Sequence, residues 1–105
     1  MQTEIYELEG QVFEWDRSKN LANIKKHGIT FKVAARAFFD PNAETYDDKG
    51  HSQDEERFVL MGMDDKERIL TVCHCFRCRD DKKTIRIVSA RMASKTEKEI
   101  YEEGK

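Results

Sequence analysis

No apolar run in this 105-residue sequence approaches the roughly 20 residues needed to cross a bilayer. The acidic N-terminus has no hydrophobic stretch of the secretory kind. Both absences point to a cytoplasmic protein, where three cysteines read as free thiols rather than a disulfide framework. There is no repeat, no low-complexity tract and no long linker, so a single domain is expected over residues 1–105, with 1–11 as a tail or edge strand. Metal-ligand spacing is also lacking. In Cys73-His74-Cys75-x-x-Cys78, the first two thiols fall roughly 6.7 Å apart along a strand with His74 pointing the other way. One tetrahedral zinc does not readily take all four ligands from that arrangement, and no metal or other cofactor is expected.

Charge is abundant instead. Charged residues make up 38% of the chain and hydrophobic ones another 38%, and ten aromatic residues favour folding over disorder. The net charge of −2 conceals segregation. Residues 15–37 hold six Lys or Arg against Asp16 alone, 40–56 hold seven acids against Lys49, and 77–91 hold six basic residues against Asp80 and Asp81. Two basic segments form a phosphate-binding face if the fold unites them; otherwise the runs are solvated faces that pair with one another.

The pattern predicts an α+β domain: two helices near the N-terminus, an antiparallel curved sheet, and a closing helix, with the helices against one face. Asp16 is a candidate N-cap for a helix to His27, stopped by Gly28, with Leu21 and Ile24 as its thin apolar side. Thr30 caps a second helix through Phe39, whose Phe31, Ala34, Ala35 and Phe38 recur at core spacing, and Pro41, the sole proline, ends it. Strands follow at 57–63, 68–76 and 84–90, with a polar connection over 79–83. In the last strand Ile85, Ile87 and Ser89 share one face, and Arg86, Val88 and Ala90 the other. Ser94-x-x-Glu97 opens the final helix.

Several pieces recur in a specific order: Phe13-x-Trp15-Asp16, Asn23-x-x-Lys26-His27-Gly28, Phe39-Asp40-Pro41, His51-Ser52-x-x-Glu55-Glu56-Arg57-Phe58, Gly62, Arg68-x-Leu70, Arg86-Ile87-Val88-Ser89-Ala90-Arg91 and Glu97-x-x-x-Tyr101. Over about residues 12–102 this resembles the BrnT family, the toxin half of a bacterial toxin–antitoxin pair. The resemblance implies a RelE-like fold and an endoribonuclease that cuts RNA and inhibits translation. It also implies neutralisation by a BrnA-like ribbon-helix-helix antitoxin, with operator DNA bound only through the complex.

Cutting RNA without a metal requires a base for the ribose 2′-OH, cations for the phosphorane charge, and an acid for the leaving 5′-oxygen, and it yields a 2′,3′-cyclic phosphate. The candidate catalytic residues are Arg91, Arg57, His27, His51 and Glu56; the candidate phosphate contacts are Lys26, Lys25, Arg77 and Arg86. Each has a structural alternative. Arg91 either meets a phosphate or pairs with one of the 21 acids. His27 either acts chemically or bonds the last helical carbonyls. His51, Glu56 and Arg57 form either a site or an ion-pair network. Arg68 is expected to face solvent, and Tyr101 to dock the last helix with a wet hydroxyl. The rival function is a non-catalytic module whose basic face binds nucleic acid or a partner.

Overall fold

The computed structural model describes residues 2–51 and 55–105, without the His51 side chain. The chain opens with a hairpin of β1 (Thr3–Leu8) and β2 (Gln11–Asp16). Its two-residue turn, Glu9-Gly10, has φ of 49° and 85°, the mirror-image geometry that matches strand twist. Residues 3–8 are thus a true edge strand, half-exposed in alternation, rather than a tail.

Next come α1 (Arg17–His27), α2 (Phe31–Arg36) and a 3-10 turn (Ala37–Phe39), so the second expected helix tightens in its last turn. The expected caps are present: Asp16 accepts from the Ser18 amide, Gly28 adopts the left-handed conformation, and Thr30 accepts from the Val33 amide. β3 (Glu44–Asp47), β4 (Phe58–Met63), β5 (Ile69–Arg79), β6 (Lys82–Met92) and α3 (Lys95–Glu103) complete the order.

The sheet is mixed, in the order β1-β2-β6-β5-β4-β3. Antiparallel pairing was expected throughout; instead β6 returns beside β2 and runs parallel to it, Val12–Glu14 against Thr84–Arg86. The helices and three strands between them form the long connection that a parallel pair requires. The expected polar stretch 79–83 contracts to Asp80-Asp81, both with positive φ, and the strands continue around them.

One sheet face carries the core: Phe13, Trp15, Leu60, Leu70, Val72, Ile85, Ile87 and Ala90 pack with Phe31, Ala34, Ala35 and Ala37. Gly62 belongs there by necessity, since a Cβ would lie 2.4 Å from the Ala37 carbonyl oxygen. The helices do not share one face. α3 meets the opposite side, where Glu97 accepts from the Thr71 hydroxyl. Tyr101 is 1% exposed and its hydroxyl donates to Asp40, so it docks α3 with a bonded rather than a wet hydroxyl.

Two further differences bear on the site. α1 does not dock through Leu21 and Ile24, which are exposed. It docks through Asn23, whose amide donates to Ala90 O (2.8 Å) and Ile29 O (2.9 Å) while its oxygen accepts from Ala90 N (3.0 Å). β2 no longer flanks β6 at that point, so a side-chain amide supplies the missing peptide. The alternation along β6 also breaks. Cys73 faces Ser89 but His74 faces Ile87, leaving Val88 as an extra residue. Beyond the bulge, Ala90 joins the core face with Ile85 and Ile87, and Ser89 leaves it.

Candidate functional site

The face opposite the core carries the strand arginines, and carboxylates hold most of them. Glu14, 2% exposed, accepts from Arg79 (2.9 and 3.1 Å) and from Arg86. Burial pushes its carboxyl up, but those two guanidinium groups outweigh burial and hold it below the usual range. Arg77 grips Glu55 through two nitrogens, holding that carboxyl low as well. Arg68 is not left to solvent; it pairs with the buried Asp64 at 2.8 Å.

Arg91 forks onto Glu97 at 2.7 and 3.1 Å. Glu97 also accepts from the Ser94 amide (2.8 Å) and Thr71 hydroxyl (3.0 Å), so one carboxylate caps α3 and fixes Arg91. Those bonds, Arg91 first, bring its pKa to about 2. The alternative in which Arg91 pairs with a carboxylate is therefore realised, and both partners line one cavity.

That cavity, of about 340 Å³, lies between the sheet and α3. Tyr46 and Asp48 form one wall, Arg57 and Val59 come from the start of β4, Thr71 and Cys73 from β5, Val88, Ser89 and Arg91 from β6, and Glu97 from α3. Arg57 and Arg91, 34 positions apart, thus line one space, and the β6 bulge turns Ser89 into it. Burial and Asp48 push the Cys73 thiol up to about 11, so it stays protonated at neutral pH. Burial, then Glu97, raises Tyr46.

A second cleft, of about 280 Å³, adjoins it between α1 and β6. It is lined by Lys19, Ala22, Asn23, Lys26 and His27 together with Val88 and Ser89, which line both spaces. The two basic segments thus meet at β6. Lys25, Arg77, Arg86 and Glu56 line neither cavity. The His51 side chain lies outside the described residues; its backbone closes a 3-10 turn three positions after Asp48. Cys73 and Cys75 face one way and His74 the other, where Phe38, Phe58 and Phe76 surround it. Among the described residues no group of three or more His, Cys, Asp or Glu is disposed to hold a metal.

Sequence reasoning missed Asn23 as a dock, Glu14 as a clamp, and Tyr46, Thr71 and Ser89 as cavity walls. Only Asn23 left a trace, as a polar residue on the inner stripe of a helix with little apolar surface.

A family model described as the ribonuclease toxin BrnT of a type II toxin–antitoxin system matches residues 15–97. The chain belongs to the BrnT family. The matched segment runs from the end of β2 into α3 and contains every residue that lines the two cavities. Membership in this BrnT family makes the protein one of a class of ribonuclease toxins, acting on RNA and paired with an antitoxin. No curated protein gives a match. Among the described residues no helix is long and apolar enough to cross a membrane.

Proposed function

We propose that this BrnT-family protein is a cytoplasmic, metal-independent endoribonuclease of RelE-like fold that inhibits translation, with the cavity beneath α3 as its cleavage site. The observation that carries the reading is the convergence of Arg57 and Arg91 on one polar cavity. Two guanidinium groups supply the charge that a phosphorane needs. Glu97 fixes Arg91 before substrate arrives, so little entropy is lost when it meets a phosphate. The acid and base are drawn from His51, which follows the Asp48 wall, Glu56, which adjoins Arg57, and His27 in the neighbouring cleft. Attack by the 2′-OH leaves a 2′,3′-cyclic phosphate and a free 5′-hydroxyl. A BrnA-like ribbon-helix-helix antitoxin neutralises the enzyme, and the pair binds operator DNA through the antitoxin.

The test is cleavage of total RNA by purified, antitoxin-free protein in EDTA, with the new 3′ ends assayed for cyclic phosphate. Cleavage with cyclic ends is expected. Retained RNA binding with no cleavage, and no growth arrest on expression, would return the protein to the class of non-catalytic binding modules.

A further inference from the structure

The lysine-bearing wall of the cleft between α1 and β6 supplies none of the groups assigned to the chemistry just described, yet its construction is specific. Lys19, Ala22, Asn23 and Lys26 recur at i, i+3, i+4 and i+7, a single stripe of α1 turned toward β6. Lys19 and Lys26 stand at the ends of that stripe, about 10.5 Å apart along the helix axis. Asn23 between them is buried and bonded to both backbone groups of Ala90, so the stripe is held at a fixed distance from the strand.

Among the described residues no acidic one lines the cleft. Among the described residues neither Lys19 nor Lys26 has an ion-pair partner, and the carboxylate of nearby Asp16 is engaged with the Ser18 amide and hydroxyl. This contrasts with Arg77, Arg79 and Arg86, each of which is engaged by a carboxylate, Arg77 by Glu55 and the other two by the shared Glu14. A polyanion leaving the cleavage cavity therefore gains more by turning over the β6 edge toward the free lysines than by following the sheet face. The extra residue at Val88 and the outward turn of Ser89 form the low ridge that both spaces share.

We propose that this cleft is a flanking-phosphate subsite, which takes an RNA backbone phosphate next to the scissile one and holds the strand across the β6 bulge. The assignment rests on the cleavage cavity being where we have put it. Lys19 and Lys26 contribute ground-state binding and no chemistry, so their loss acts on KM.

The experiment compares wild-type protein with Lys19→Ala/Lys26→Ala on a hexanucleotide RNA cleaved at one position, with salt varied. Lys66→Ala/Lys98→Ala, which removes the same charge elsewhere, serves as control. Both cleft lysines are exposed, so the thermal midpoint should not move. The cleft variant should raise KM about tenfold with kcat within about twofold. Its plot of log kcat/KM against log salt should be shallower by about 0.7 for each phosphate no longer neutralised. An equal effect in the control would reduce the cleft to a share of the general field. A fall in kcat at unchanged KM would put it in the reacting centre, and weakened antitoxin neutralisation with unchanged kinetics would make it a protein-docking surface. Each of these outcomes overturns the subsite. Wild-type protein inert toward RNA would instead remove the cleavage reading beneath it.

Discussion

On the proposed assignment, the Arg91–Glu97 pair separates chemistry from stability. Arg91 is 45% exposed, and an ion pair so wet contributes on the order of 0.5–1 kcal/mol. A guanidinium aimed at developing phosphorane charge is worth about 3 kcal/mol, or roughly a hundredfold in rate. Arg91→Ala should therefore cost about a hundredfold in RNA cleavage while the melting temperature falls only a few degrees, with Arg91→Lys intermediate because a point charge cannot fork. Full cleavage by a destabilised Arg91→Ala variant would limit the arginine to holding α3. Glu97 gives a pH signature. Its folded-state pKa, lowered from 4.5 to about 2, means that its ionised form favours the fold above pH 4.5 and that this contribution fades as pH falls toward 2. The melting-temperature gap between wild-type protein and Glu97→Gln should accordingly narrow across that window. Tyr101→Phe removes a partly buried hydrogen bond to Asp40 and should cost about 1 kcal/mol in denaturant unfolding, with cleavage retained.

Among the elements, α1 departs furthest from ordinary helix packing. Its apolar residues Leu21 and Ile24 lie outside, and a polar amide anchors it. Asn23→Ala would strip partners from the Ala90 N–H and C=O together, at about 2–3 kcal/mol. The same change should unlock α1 amide exchange ahead of the sheet, and exchange rising uniformly across the protein would contradict that order. The caps at Asp16, Gly28, Thr30 and Ser94 were legible because each uses a local signal: a short side-chain acceptor, or a glycine where φ is positive. The strand segments were legible from local pattern too, an apolar run over 57–63 and alternation over 68–76 and 84–90. The face assignment failed at Val88, because one inserted residue reverses every side chain beyond it and leaves no mark in composition. Parallel pairing of β2 with β6 was equally hidden, since strand neighbours separated by some 70 positions carry no local trace. Of the candidate site residues, Arg57 with Arg91 and Lys26 with His27 come together in pairs. Arg77 and Arg86 could not be told apart from them, because Glu55 and Glu14, which hold them, lie far away in sequence.

On the scale of the whole molecule, Glu14 joins the first part of the chain to the last. It sits on β2 and receives Arg86 of β6 and Arg79 of β5. Removing it strands a guanidinium that is 17% exposed, so Glu14→Ala should cost about 3 kcal/mol. Urea unfolding with an unchanged m-value would identify the loss as stability rather than altered compactness. The parallel β2–β6 seam also dictates when the molecule becomes whole. β2 emerges from the ribosome early and its neighbour emerges late, so the central strand of the sheet is filled last. Ser89, Arg91 and Glu97 arrive with that final segment, behind every other wall of the cavity. On the proposed assignment, a nascent chain has no complete cavity, and should cut no RNA, until β6 and the start of α3 have left the ribosome.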